Sequence, residues 1–189
     1  MDNWRNKMPN YYLGIDLGGT EVKIAVVNKR GQIIAETGIP GSNTFSPDAL
    51  VRKIVEKSRS LKNFKLVSGV GAGVAGDIDQ KNGIVRFSPN LTKWKNVRLK
   101  AMLRRYFKGP IVIDNDANAA AFGAYFLDAG RKAKNLICVT LGTGVGGGII
   151  LDGKVYRGAT GTAGDSVVGP QAKPGGPGDR RCGHTAQAV

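Results

Sequence analysis

In Leu141-Gly142-Thr143-Gly144-Val145-Gly146-Gly147-Gly148, an aliphatic run gives way to a glycine-rich turn. A similar turn, Asp16-Leu17-Gly18-Gly19-Thr20, follows the apolar residues 11–15. Because glycine has no Cβ, backbone N–H groups in such turns can approach an anion closely. We therefore predict two phosphate-binding turns, which would hold a nucleotide from two sides. For the turn at residues 16–20, the alternative interpretation is a glycine turn inside a β-hairpin.

Between the two turns lies Asp114-Asn115-Asp116-Ala117-Asn118, which follows the apolar run 111–113. The pattern predicts a strand followed by a helix, with Asp116 near the positive end of the helix dipole. A general base that accepts a hydroxyl proton needs such a position. An N-cap aspartate is the alternative. Two phosphate-binding turns and one base together indicate a phosphotransferase, in which Asp16 could orient a magnesium ion.

The sequence also contains two Gly-x-Gly-x-x-Gly patterns, which are typical of dinucleotide-binding folds. They comprise Gly71, Gly73 and Gly76, and Gly142, Gly144 and Gly147. In that fold the third glycine packs a helix against its strand. Here a hairpin is predicted after Gly76 and a strand after Gly148, so neither pattern indicates a dinucleotide site by itself.

Composition and charge limit the classes of function. The 189 residues suffice for one buried core, or for one small lobe and part of a second. The net charge of +14 raises the possibility of a polyanion-binding module. However, the basic residues alternate with apolar ones at helical spacing, which favours solvated helix faces. No apolar run reaches membrane-spanning length, and residues 1–7 lack the core of a secretory signal, so we expect a cytoplasmic protein.

Strands and helices alternate in the predicted order of elements, which indicates an α/β fold. Ser46-Pro47-Asp48 supplies a helix N-cap, a first-turn proline and a first-turn acid. Helices are predicted after this cap, around 99–106 and at 117–127. Strands are predicted at 11–16, 21–28, 32–37, 65–73, 111–113, 136–141, 149–151 and 154–156, with a hairpin within 77–87.

Five strings in the chain, in this order, resemble the N-terminal half of ROK-family sugar kinases, bacterial glucokinases in particular. They are LGIDLGGTEVKIAVV, GVGAGVAGDID, SPNLTKW, VIDNDANAAAFGAY and LGTGVGGGIILDGKVYRGATGTAG, and they span about residues 11–164. The resemblance implies an actin-like, hexokinase-like pair of α/β lobes around a cleft for ATP and sugar. We expect an N-terminal lobe at 11–114, a partial second lobe at 115–164 and an aberrant, disordered tail at 165–189.

The resemblance also implies roles for individual residues. Asp116 matches the catalytic base that deprotonates the sugar hydroxyl, and Asn90 and Asn115 match sugar ligands. The first phosphate motif corresponds to Asp16, Gly18, Gly19 and Thr20, with Lys23 as a further candidate cofactor ligand, and the second to Gly142, Thr143 and Gly144. ATP and Mg²⁺ are the implied cofactors. Trp94 falls where the family often has an aromatic residue, although core packing explains it equally well.

The chain departs from the family pattern at several positions. Ala75 stands where the family usually has proline. Asp165 stands where the family has a sugar-binding glutamate, and its side chain is shorter. The family's following Gly-His pair is missing, and Cys182 and His184 cannot close a four-ligand zinc site, so no bound metal is expected from them. From this loss of pattern after Gly164 we expect a truncated or frame-shifted product.

The sequence thus predicts ATP-dependent phosphorylation of a hexose, most simply glucose to glucose 6-phosphate, by an enzyme of which this chain has only part. The expected partner is a small-molecule sugar rather than a nucleic acid or a membrane, with a homodimer possible as in the full-length family. The alternatives are a ROK-type sugar-responsive regulator and a non-catalytic sugar-binding fragment. Only about ten residues precede the first strand, too few for a helix-turn-helix domain.

Overall fold

The computed structural model describes residues 11–127, 133–141, 145–158, 161 and 163–164. The chain divides into two compact units, Met1–Asp116 and Ala117–Val189. The lobe boundaries expected from the sequence, 11–114 and 115–164, stay predictions. The expected disordered tail lies outside the described residues.

The first unit is built on a five-stranded mixed sheet with three further short strands. Its strands are β1 (Tyr11–Leu17), β2 (Glu21–Asn28), β3 (Ile33–Pro40), β4 (Val67–Val74), β5 (Asp77–Asp79), β6 (Ile84–Phe87), β7 (Lys95–Val97) and β8 (Ile111–Asn115). The large sheet has the order β3-β2-β1-β4-β8. The first three strands pair antiparallel, whereas β1, β4 and β8 run parallel to one another.

Apolar alternation along the central strands produces the core. Leu13, Leu17 and Ile24 are fully buried, as period-2 patterning of a half-covered sheet requires. Helix α1 (Pro47–Arg59) buries Leu50 and Ile54 and packs against β2 and β3. Each such aliphatic side chain contributes about 1.5–3 kcal/mol when it leaves water.

The predicted start of α1 is confirmed in its details. Ser46 is the N-cap, and its hydroxyl accepts a hydrogen bond from the Ala49 backbone N–H at 3.4 Å. Pro47 begins the helix and Asp48 provides the first-turn acid, where negative charge interacts favourably with the helix dipole. A second helix, α2 (Leu99–Arg104), contacts β8 and β6.

The hairpin predicted around Gly83 is confirmed as β5 and β6, and β7 extends it to a three-stranded antiparallel sheet that the sequence does not indicate. Trp94, which immediately precedes β7, is only 1% exposed and belongs to the core. Packing therefore accounts for this tryptophan. No helix follows Gly76, as expected for a pattern unrelated to dinucleotide binding.

The second unit joins a helix and a three-stranded antiparallel sheet. Its elements are α3 (Asp116–Leu127), whose first residue closes the first unit, and the strands β9 (Leu136–Leu141), β10 (Val145–Leu151) and β11 (Lys154–Tyr156), in the order β11-β10-β9. A Cβ on Gly146 would lie 3.1 Å from that of Ala117, and one on Gly148 would lie 2.5 Å from that of Ala121. The two glycines therefore allow α3 to pack closely on this sheet.

One prediction for this region is wrong in part. The sequence predicts a glycine turn that includes residues 145–148, but these residues form the first half of β10 and pair with β9. Close packing, rather than a turn, requires the glycines in this stretch. The remaining turn residues, 142–144, lie outside the described part of the chain.

Other differences concern the ends of elements. A short 3-10 helix, Phe64–Leu66, delays the start of β4 to Val67, and β3 extends to Pro40. Among the described residues, no helix combines the length and the apolar character needed to cross a membrane.

Candidate active site

Three parallel strands end side by side at one edge of the large sheet. Asp16 near the end of β1 is aligned with Gly73 of β4, which is aligned with Asp114 of β8. Because neighbouring strands lie about 4.8 Å apart, the backbones of the two aspartates are separated by about 10 Å. The carboxyl ends of parallel strands are where α/β proteins usually bind ligands. The site residues predicted in the first unit gather at this edge.

Asp16 and Asp116 lie close enough for their charges to interact. The pKa of Asp16 is raised above its usual value, first by partial loss of solvent contact and then by the negative charge of Asp116. Lys23 lies opposite Asp16 on β2 and lowers the pKa, but not enough to offset the other two effects. The site thus concentrates negative charge that a cation would neutralise.

The first glycine turn is held by a neighbouring loop. The Ser42 hydroxyl donates a hydrogen bond to the Gly18 carbonyl oxygen at 2.5 Å. The Asn43 backbone N–H donates one to the Gly19 carbonyl oxygen at 3.1 Å. The Gly41 N–H donates to the carbonyl oxygen of Thr20 at 2.7 Å. Three successive carbonyl groups are therefore fixed by residues 41–43, which sets the direction of the turn.

Ser42, which is fully buried, supports the turn in a way that the sequence does not predict. The only local signal is Gly41 beside a short polar segment, and Gly41 adopts the left-handed conformation with φ of 66°. Nothing in the sequence spacing indicates the contact with Gly18, because the two residues are 24 positions apart.

Asn90 lies directly against the glycine turn. A Cβ built on Gly19 would lie 2.6 Å from the Cβ and from the backbone oxygen of Asn90, so only glycine fits there. The side chain of Asn90 is exposed. The structure therefore brings a candidate sugar ligand and a candidate phosphate turn together.

Asn115 connects β8 to the loop after β4. Its side-chain amide donates to the Gly76 carbonyl oxygen at 3.2 Å, and its backbone N–H donates to Asp114 Oδ1 at 2.9 Å. Gly76 has a φ of 132°, and a Cβ there would overlap the backbone oxygen of Phe87. The loop after β4 is thus packed between β8 and the segment that leads to Asn90.

Asp116 is the first residue of α3 and is partly exposed. This position lies within the first turn, where the helix dipole stabilises a carboxylate. Its position at the end of β8 keeps Asp116 a candidate general base. The candidate ligands Gly142, Thr143, Gly144 and Asp165 lie outside the described residues, as do Cys182 and His184.

The carboxylates fit a magnesium ion that is shared with phosphate. Mg²⁺ is usually bound by one or two carboxylates together with substrate phosphate oxygens and water. Asp16 offers one such carboxylate, and the charge of Asp116 raises its pKa. Within the described ranges, no group of three or more His, Cys, Asp or Glu residues could hold a metal ion on its own. Asp16 is therefore the candidate ligand of a cation that arrives with the nucleotide.

Comparison with known proteins agrees with this architecture. The model of the ROK family matches residues 12–187, which extends beyond the strings that end at Gly164. A glucokinase from Streptomyces coelicolor is 38% identical over 151 residues, which cover 80% of this chain and 47% of that protein. A xylose repressor from Caldicellulosiruptor bescii is 37% identical, over 85% of this chain and 41% of the repressor. The chain thus spans about half the length of the curated relatives it matches.

A solved structure shows the same fold. The ROK family glucokinase from Streptomyces griseus, in complex with glucose and AMPPNP, superposes with a TM-score of 0.70 at 36% sequence identity. The superposition covers 82% of this chain and 48% of the glucokinase. The predicted α/β fold of the actin-like sugar kinases is therefore confirmed for the matched part. From the match over nearly its whole length, the chain belongs to the ROK family.

Proposed function

We propose that the chain carries the sugar site and part of the nucleotide site of an ATP-dependent hexose kinase. The observation that carries this proposal is the meeting of Asp16, Asp116 and Asn90 around the glycine turn 18–20. This edge combines a candidate base, a candidate sugar ligand and a candidate phosphate-binding turn. Phosphoryl transfer needs mainly such positioning and charge stabilisation.

In the proposed reaction, Asp116 accepts the proton of the sugar hydroxyl as that oxygen attacks the γ-phosphate. The bond between the γ-phosphorus and the β–γ bridging oxygen breaks, and ADP leaves. Asn90 and Asn115 orient the sugar through hydrogen bonds, and Asp165 would add a further contact. The backbone of Gly18, Gly19 and Thr20 approaches the phosphates on one side, assisted by the positive charge of Lys23. Gly142, Thr143 and Gly144, which match the second phosphate motif, would add further backbone contacts to the phosphates. Bound Mg²⁺ would neutralise phosphate charge during the transfer.

Glucose is the proposed substrate, with glucose 6-phosphate as the product. Support comes from the glucokinase relatives and from the glucose and AMPPNP, an ATP analogue, in the Streptomyces griseus structure. The same proposal includes lobes at 11–114 and 115–164, a cytoplasmic location and a homodimer. Because the chain spans about half of its relatives, its own turnover is part of what must be tested.

A sugar-responsive regulator is the second candidate function, because xylose repressors are among the similar proteins. Such a protein would bind sugar without transferring phosphate. The polyanion-binding alternative would instead show an affinity that falls steeply with salt.

The test is a coupled ADP-release assay with a panel of hexoses and with xylose, together with calorimetric titration of each sugar. The kinase proposal predicts ADP release with at least one hexose, most strongly with glucose. Sugar binding without ADP release would favour the regulator or the non-catalytic fragment. Absence of both would overturn the assignment of the sugar site.

A further inference from the structure

A groove in the first unit lies between helix α1 and the residues that follow α2. Its volume is about 540 Å³, within the range of ~300–1,000 Å³ that is typical of small-molecule sites. The lining residues are Arg52, Val55, Glu56, Arg59, Ser60 and Tyr106. None of them is a candidate ligand of the substrate sugar or of the nucleotide. We call this feature the helix groove.

One wall of the helix groove presents two arginines. Arg52, Glu56 and Arg59 are spaced by four and three residues on α1 and are exposed, so they form one stripe along the helix. In the part of the chain that the structure describes, neither arginine forms an ion pair. Arginine binds oxyanions through paired N–H donors, and here two guanidinium groups offer such donors to one groove.

The opposite wall carries a tyrosine that is held in place by its neighbours. The Tyr106 backbone N–H donates a hydrogen bond to the Leu103 carbonyl oxygen at 2.9 Å. The next residue, Phe107, is buried and makes an edge-to-face contact with Phe64, with 6.1 Å between the two ring centroids. The side chain of Tyr106 remains 41% exposed. Its ring therefore offers an apolar surface to a ligand in the groove.

The other polar groups of the helix groove favour a ligand that also carries hydroxyl groups. The Glu56 carboxylate lies between the two arginines in sequence and accepts hydrogen bonds. The Ser60 hydroxyl already donates to the Lys57 carbonyl oxygen at 2.8 Å, so its oxygen is available to a ligand as an acceptor. A bare anion would satisfy the arginines and leave both acceptors without a donor.

The surface around the helix groove is positively charged. The sequence of α1 and of residues 99–108 contains two acids, Asp48 and Glu56. Oδ1 of Asp48 lies 3.9 Å from Nη1 of Arg105. The exposed basic side chains outside the groove are Lys53, Lys57, Arg104, Arg105 and Lys108. Such a field raises the local concentration of small anions.

We propose that the helix groove binds a sugar phosphate. Arg52 and Arg59 bind the phosphate group, and the sugar hydroxyls donate hydrogen bonds to Glu56 and Ser60. The sugar ring packs on Tyr106. The proposal goes beyond the proposed kinase, because no residue of the groove belongs to the candidate active site. It requires binding alone and does not depend on turnover by the chain.

The test is calorimetric titration of the 189-residue chain with glucose 6-phosphate and with inorganic phosphate, each in the presence of excess glucose. Glucose competes for the candidate active site, so the remaining binding belongs to another site. We expect glucose 6-phosphate to bind with one-to-one stoichiometry. Inorganic phosphate should bind at least ~10-fold more weakly, because it has no hydroxyls for the two acceptors.

Arg52→Gln and Arg59→Gln should each weaken the binding of glucose 6-phosphate ~10-fold, because each removes a charge-assisted contact with phosphate. The matched control is Arg98→Gln, which removes the same charge. Arg98 is exposed, does not line the helix groove and makes no side-chain cap of α2. The control should therefore leave the affinity unchanged. Circular dichroism of each variant separates loss of binding from loss of folding.

Four results would overturn the proposal. Glucose 6-phosphate would fail to bind in excess glucose, or inorganic phosphate would bind equally well. Arg98→Gln would weaken binding as much as the groove variants, which would indicate general charge attraction. A single-stranded oligonucleotide would displace glucose 6-phosphate at lower concentration, which would indicate a polyanion surface. Absence of ADP release would contradict the kinase proposal and leave these titrations unaffected, so the two failures are distinguishable.

Discussion

At the scale of single residues, the charge of Asp16 links the site to stability. Its pKa in the folded state lies above its usual value of 3.8, so the folded protein binds the proton more readily than the unfolded chain. Stability should therefore fall as the pH rises from this value through the raised pKa, and then level off. Ionised Asp16 destabilises the free site, and a bound cation would reduce this effect.

Asp16→Asn should accordingly raise the melting temperature near neutral pH, because it removes a charge that is destabilised first by partial loss of solvent contact and then by repulsion from Asp116. The gain should shrink as the pH falls below the ordinary aspartate range, where the native carboxyl is protonated. Thermal unfolding of both proteins across pH measures this difference. Asp48→Asn is the control, because Asp48 is exposed and its Oδ1 lies 3.9 Å from Nη1 of Arg105, which is also exposed. A stabilisation of the same size and pH dependence in the control would refute the assigned cause.

Gly19 is the residue at which a single methyl group should do most harm to the site. Gly19→Ala places a Cβ 2.6 Å from Asn90, and we expect it to cost ~1–3 kcal/mol of unfolding free energy. Gly71→Ala provides the contrast, because a Cβ at this position on β4 would have no neighbouring atom within 4 Å. Urea denaturation compares the two. Similar midpoints for both variants would show that Asn90 does not press against the turn.

At the scale of elements, the loop 41–43 supports the glycine turn 18–20, and Ser42 is its buried contact. Ser42→Ala leaves the Gly18 carbonyl without this donor and should destabilise the protein by ~1–3 kcal/mol. The control is Ser60→Ala, whose hydroxyl makes an exposed bond to the Lys57 carbonyl oxygen. We expect less than ~0.5 kcal/mol there. Equal losses in denaturant titrations would argue against a special role for the loop.

Elements with a strong local sequence pattern can be predicted from the sequence. Elements that depend on contacts with residues distant in the sequence cannot. The strands at 21–28 and 136–141 agree with prediction at both ends, because apolar residues set their pairing. The first half of β10 resembles a turn in sequence, since glycine favours turns locally but here makes room for α3. The polar strand β7 and the contact of Ser42 with Gly18 depend on distant residues. The motifs alone predict that Asp16 and Asp116 share a site, whereas the addition of Asn90 to them could be predicted only from the family resemblance.

At the scale of the whole molecule, the chain combines two units. The first has a sheet edge that carries candidate sugar and phosphate ligands, and the second has a three-stranded sheet packed on α3. The first unit contains every described candidate ligand, from Asp16 to Asp116. The chain spans about half the length of the curated relatives that it matches.

The most direct measurement of the central claim is the rate of glucose-dependent ADP release by the 189-residue chain and by its Asp116→Asn variant. Loss of a general base predicts a fall in kcat of ~10²–10⁴-fold with glucose binding retained. Asp48→Asn, which alters an exposed carboxylate on α1, should retain the native rate. Equal rates in the native chain and in Asp116→Asn, or no ADP release by the native chain with any hexose, would contradict the kinase assignment.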